Sequence, residues 1–227
     1  MKFPKLLKVN LSALLVAGVL ISSGVSAQEK EQKKIEAATT TLSDFSKMKE
    51  SIPSDLIAIT QGIIVVPKLI NAGFVIGGKR GRGLAMVKKA DGTWSNPVFV
   101  TITGGSVGAQ IGVQSVDLVL VFKHSNSLTA IKKSSFTLGG DVSVAAGPVG
   151  RNSTANTDYK LDAEVYSYSR SKGLFAGISL NGASLGIDAA ANKEFYGKEL
   201  SANEIFGAAN STDAKVVALK STLNSMK

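Results

Sequence analysis

In "GGSVGAQIGVQ", residues 104–114, apolar and small or polar positions alternate. Gly105, Val107, Ala109, Ile111 and Val113 form one set, and Gly104, Ser106, Gly108, Gln110, Gly112 and Gln114 the other. A period of two is that of a strand. Gly104, Gly108 and Gly112 also match the small-xxx-small spacing of packed membrane helices, but the glutamines and the lack of a long apolar run argue against it. The alternation recurs in "GLFAGISL" through Leu174, Ala176, Ile178 and Leu180, and in "ASLGIDAA" through Leu185 and Ile187. "VDLVLVF" (116–122) and "LDAEVYSYS" (161–169) read as further strands. Asp91-Gly92 and Asn181-Gly182 separate alternating runs, and such pairs suit the positive φ angles of a type I′ hairpin turn. The expectation is an antiparallel meander from about Gly62 to Ala190. Its many glycines point to tight curvature, as in a small barrel or a folded-over sheet.

On either side the period lengthens. Ile35, Ala38, Leu42, Phe45, Met48 and Ile52 recur at spacings of three and four, with Lys and Glu opposite them, an amphipathic helix. Pro53 suits the first turn of a second helix. "ELSANEIF" carries a capping box from Ser201 to Glu204, and Val216, Leu219, Leu223 and Met226 form a last apolar stripe. Helices are predicted over 30–51, 53–61 and 213–226, and "RNSTANTD" (151–158) reads as a solvated loop. The fold class is α+β: an antiparallel glycine-rich β core flanked by N- and C-terminal helices.

The first 27 residues join a basic start, "MKFPKLLK", to the apolar run "LSALLVAGVLI" and to small residues ending in Val25-Ser26-Ala27. That is the build of a secretory signal peptide cut after Ala27; an uncleaved anchor is the alternative. Residues 28–227 would then form a single domain, with an amphipathic helix over 28–52, a core over 53–200 and a helical segment over 201–227. Its expected address is periplasmic or secreted. The formal charge is +9, and cutting off Lys2, Lys5 and Lys8 without any acid leaves +6. The absence of cysteine excludes disulfides and thiolate chemistry, so the domain must stand on its own core.

The excess charge directs attention to "GFVIGGKRGRG", residues 73–83. Gly73-x-x-x-x-Gly78-Lys79 imitates a phosphate-binding P-loop, but Arg80 stands where the Mg²⁺-binding Ser or Thr belongs. Gly81 and Gly83 are poor helix formers where that motif needs a helix. Lys79, Arg80 and Arg82 among glycines could bind an anion through cations and backbone N–H groups, or could form a solubilising turn. His124 is the only histidine and has no evident catalytic or metal partners. The acids are scattered, so neither a metal nor a cofactor is expected. Asp117, in an apolar strand, should be paired, with Arg151 or Arg170. A pI of about 9.6 would suit nucleic acid, but export and the lack of interleaved aromatics exclude that partner.

The segments "IPSDLIAITQGIIVVPKLINAGFVIGGKRGRGLAMV", "DGTWSNPVFV", "GGSVGAQIGVQSVDLVLVF", "AAGPVGR" and "YSYSRSKGLFAGISLNG" resemble, in order and spacing, the SYLF domain family. The likeness runs from about Ile52 to Gly197. It implies a non-catalytic lipid-binding domain with a β-rich core and helices that help meet the membrane. It carries over neither phosphoinositide specificity nor actin binding to an exported bacterial chain. The expected lipid contacts are Lys79, Arg80, Arg82, Arg170 and Lys172, on one surface beside strand ends. The partner would be an anionic phospholipid surface, reached through these basic turns and an apolar helix face (residues 35–52 or 56–66). The alternative is an envelope structural or protein-interaction domain. An outer-membrane barrel is disfavoured by the shortage of girdle aromatics.

Overall fold

In the computed structural model the 104–114 alternation belongs to one long strand. The structure describes residues 11–48, 51–124, 135–147 and 163–226, with residues 11–27, 74–75 and 106–111 described by their backbone alone. The expected loop at 151–158, Arg151 and the first ten residues lie outside the described residues. The elements run α1 (Leu11–Lys47), α2 (Ser54–Ile59), β1 (Gly62–Val87), β2 (Val98–Phe122), β3 (Ser135–Thr137), β4 (Val144–Ala146), β5 (Val165–Ser171), β6 (Leu174–Phe175) and β7 (Ser184–Ile187). Three helices follow: α3 (Ala189–Tyr196), α4 (Ala202–Gly207) and α5 (Ala214–Ser225).

The organising unit is the β1–β2 ribbon. Its strands pair antiparallel from Gly62↔Phe122 to Ala85↔Val98, joined by the expected turn at Asp91-Gly92. There Gly92 has φ +81° and the Asp91 carboxylate accepts from the Thr93 amide at 2.8 Å. Between Gly73↔Gly112 and Val75↔Gly108 the register slips, and the ribbon bends. β1 thereby returns onto itself, and the Lys88 amide donates to the Gln61 carbonyl at 2.8 Å, joining its two ends. β1 holds one edge of β2; β7 and β5 share the other, at Val100–Thr103 and Asp117–Phe122. The sheet stays open, so of the two shapes expected it is the folded-over sheet.

Period-two alternation puts successive ribbon residues into two different cores. Ile64, Val66, Leu69, Val116, Leu118 and Leu120 fill the inside of the fold. Ile63, Val65, Leu84, Met86, Val119 and Val121 face outward and are buried beneath helices. The covering stripes are those read from the sequence: Ile35, Ala38, Leu42 and Phe45 of α1, with Val216, Leu219 and Leu223 of α5. α4 has the expected capping box, Ser201 with Glu204. Among the described residues no helix is long and apolar enough to cross a membrane, which says nothing of crossing by strands.

Details differ from the sequence reading: the 174–180 run is strand only at Leu174–Phe175, α3 is not among the predicted helices, and α1 spans Leu11–Lys47 rather than 30–51. Asn181-Gly182 does turn the chain, closed by the Ala183 amide on the Leu180 carbonyl at 2.9 Å, but the flanking runs do not form a hairpin. β6 pairs with β5, while β7 pairs with β2 and β3. β4 lies parallel to β5, and residues 147–164 supply the connection length that a parallel pair requires. The β core ends at Ile187 rather than Ala190, since the Asp188 carboxylate caps α3 by accepting from the Ala191 amide at 3.1 Å.

Candidate functional site: the basic residues of β1 and the β5–β6 turn

β1 runs unbroken through residues 73–83, so no helix N-terminus stands where a P-loop would need one, and the cations lie within a strand rather than at its end. Alternation then divides them. Lys79 shares its parity with the inward-facing Ala85, and Arg80 and Arg82 share theirs with the outward-facing Leu84 and Met86.

Lys79 is 7% exposed. Its ammonium donates to the Ser179 carbonyl, across the fold. Burial disfavours the charged amine and lowers its pKa.

Arg82 lies under α1. Its Nε donates to Asp188 at 2.8 Å and its Nη2 to Glu31 of α1 at 3.1 Å. Burial opposes the guanidinium charge, but hydrogen bonds and attraction from Asp188 and Glu31 outweigh it, and the pKa is raised. Arg170 repeats the arrangement further along the same helix. Its Nη2 donates to Asp44 of α1 at 2.6 Å and to Asp117 of β2 at 2.8 Å, and the guanidinium lies 5.6 Å from the Phe45 ring centre. Of the two partners proposed for Asp117, the structure selects Arg170. These two arginines clamp α1 onto the sheet.

Arg80 and Lys172 remain exposed. Lys172 (φ +51°) and Gly173 (φ +80°) form the β5–β6 turn. Both central residues have positive φ, as a type I′ hairpin requires. Lys68 is exposed as well, at the first irregularity of β1. The expected cluster is therefore not one surface. Lys79 points inward, Arg82 and Arg170 serve the α1 contact, and Arg80 and Lys172 face solvent. His124 is exposed, and among the described residues no three His, Cys, Asp or Glu side chains gather as metal ligands.

One feature escaped sequence reasoning. Ile70, Ile76, Val113 and Leu174 are 41, 76, 75 and 71% exposed, around the ribbon bend and the adjoining β5–β6 turn. Their alternation matches that of buried strands. The signal that could have marked them is their place beside Gly73, Gly77, Gly78, Gly112 and Gly173, where the sheet leaves the body of the protein.

Residues 103–226 match the family model described as "Ysc84: Las17-binding protein actin regulator". The SH3 domain-containing YSC84-like protein 1 of Xenopus laevis is 37% identical over 180 residues, 79% of this chain and 53% of the relative. The chain belongs to the Ysc84/SYLF family. The human SH3 domain-containing YSC84-like protein 1 is 33% identical over 186 residues, 82% of this chain and 54% of that protein. LAS seventeen-binding protein 3 of Saccharomyces cerevisiae is 31% identical over 188 residues, 82% of this chain and 41% of the relative. The chain thus spans about half the length, or less, of these relatives. In Ysc84/SYLF terms the model match takes in Arg170 and Lys172, while Lys79, Arg80 and Arg82 precede it. The family description names a binding and regulatory protein and no enzymatic activity.

Proposed function

We propose that this Ysc84/SYLF domain is a non-enzymatic, peripheral lipid-binding protein of a bacterial cell envelope, exported and cut after Ala27, that meets anionic phospholipid head groups. The observation that carries the reading is a group of exposed cations near the ribbon bend that take no part in the α1 clamps. Arg82 and Arg170 engage Glu31, Asp44, Asp117 and Asp188. Arg80, Lys68 and Lys172 stay exposed with no ion pair among the described residues. Each basic residue near an anionic bilayer contributes roughly 1 kcal/mol, so three give weak, salt-sensitive attachment. The apolar face of α1 and, Ala58 and Ile59 apart, the apolar residues of 56–66 are buried in the two cores and do not supply the contact in this state.

A second reading, a protein-interaction domain, draws on relatives named for binding another protein. Vesicle flotation separates the two. The purified protein is expected to float with phosphatidylglycerol or cardiolipin vesicles and not with phosphatidylcholine. The double reversal Arg80→Glu with Lys172→Glu should weaken flotation more than tenfold at low salt and leave the thermal melt unchanged. Equal flotation on neutral and anionic vesicles would overturn the lipid reading.

A further inference from the structure

We infer that the bend of the β1–β2 ribbon is an apolar wedge that enters the acyl boundary of an anionic membrane. The inference rests on the lipid reading above and names the surface that makes the contact.

Three of the exposed apolar residues occupy one face. From Val75 to Ala85 the β1 register is continuous, so Ile76 shares its face with Arg80, Arg82, Leu84 and Met86. Leu69 points into the inner core, so its neighbour Ile70 points outward. Val113 lies opposite Ala72 and has the parity of Asp117, Val119 and Val121, so it points outward too. Ile70, Ile76 and Val113 thus continue the face that, nearer the body, is covered by α1. Past the two arginine clamps the same apolar face emerges uncovered. Leu174 adds a fourth large apolar side chain beside this end, because β5 runs antiparallel to β2 from Phe122↔Val165 to Asp117↔Arg170 and then turns at Lys172-Gly173.

The charge around the patch selects its occupant. The exposed side chains of Lys68, Arg80 and Lys172 border it. The carboxylates nearest by register, Asp117 on β2 and Asp44 on α1, are held by Arg170. Apolar tips inside a cationic border match the two layers of an anionic membrane surface, acyl chains within and phosphates without. A neutral apolar protein partner would gain nothing from such a border.

The chain has no cysteine, which permits clean labelling. Ile76→Cys, Val113→Cys and, as a control on the β1–β2 turn, Ala90→Cys would each carry a polarity-sensitive fluorophore. With phosphatidylglycerol vesicles, the labels at 76 and 113 should shift to the blue and be quenched by brominated-chain lipid, and the label at 90 should do neither. The unlabelled double variant Ile76→Asp with Val113→Asp should float at least tenfold less well, with an unchanged melt. If the wild type floats but the labels at 76 and 113 stay aqueous, the wedge is wrong and the lipid reading survives. If the wild type does not float at all, both are wrong. A wild-type dimer in sedimentation that Ile76→Asp disperses would make the bend a contact between two copies and overturn the wedge.

Discussion

Arg80 and Arg82 differ by two positions and share a face, yet they have different roles. Arg82 bridges Glu31 and Asp188, while Arg80 meets solvent. Removing one partner from a partly buried ion pair strands the other charges, at a cost of about 1–3 kcal/mol once solvent screening is allowed for. Arg82→Ala and Arg170→Ala are each expected to lower the unfolding free energy, read by urea denaturation, by that amount, and Arg80→Ala to change stability by under about 0.5 kcal/mol. Equal effects at Arg80 and Arg82 would refute the clamp. Tyr168 is another residue whose environment sets its contribution. It is fully buried, and its hydroxyl has no hydrogen-bond partner among the described residues. Burial pushes its pKa far above the ordinary value of 10.0. Between those two values the unfolded chain has lost the proton and the folded chain keeps it, so stability falls as pH rises, by about 1.4 kcal/mol per pH unit. Tyr196, raised by burial and then by the charge of Asp213, acts in the same direction. Lys79, lowered by burial, acts oppositely, adding stability as pH rises toward 10.5. Tyr168→Phe should therefore be neutral or stabilising at pH 7 and should flatten the alkaline limb of the melting curve. A variant melting with the wild-type pH slope above 10 would remove burial of this hydroxyl as the cause.

Among the elements, β1 depends on glycine for contact rather than for flexibility. A Cβ on Gly83 would lie 2.2 Å from the Val65 carbonyl oxygen, and one on Gly81 2.6 Å from Val66 Cγ1. These are the points where the strand returns onto its own first half. Gly105, on the partner strand, has nothing within 4 Å of the same position. Gly83→Ala is expected to cost about 2 kcal/mol or more by overpacking. Gly105→Ala should be neutral or slightly stabilising, because alanine loses less backbone entropy. Chemical denaturation of the two variants compares them directly, and a tolerated Gly83→Ala would mean that the ribbon does not fold so tightly.

For the whole molecule, the arrangement links stability and surface chemistry. Arg82 and Arg170 are taken up by Glu31 and Asp44 of α1, while Lys68, Arg80 and Lys172 stay exposed near the ribbon bend. Attachment carried by three such cations is expected to weaken steeply with salt, since the screening length is about 10 Å at 0.1 M and about 3 Å at 1 M. Flotation on phosphatidylglycerol vesicles should fall by more than tenfold between those conditions, and persistence in 1 M salt would assign the binding energy to the apolar residues instead.

The parts of the fold governed by local rules are legible in the chain. The two periodicities gave α1, α5 and the long strands, but not α3; Asp91-Gly92 gave the ribbon turn; Ser201 and Glu204 gave the cap; and the SYLF motifs gave the family. Each depends on residues a few positions apart, where steric preference and amphipathic patterning act. The chain also offers Arg170 as one of two partners for Asp117. The use of each charge and of each apolar face depends on long-range contacts. Lys79, Arg80 and Arg82 look alike in the chain, but their environments come from Ser179, Glu31 and Asp188, which folding brings from far away. Ile76 and Val113 carry the same alternation as Val65 and Val119, and nothing local says that α1 covers one pair and stops short of the other. The N-terminal half of β1 buries both of its faces because the ribbon bends onto itself and a helix closes over it, and both events depend on contacts between distant residues.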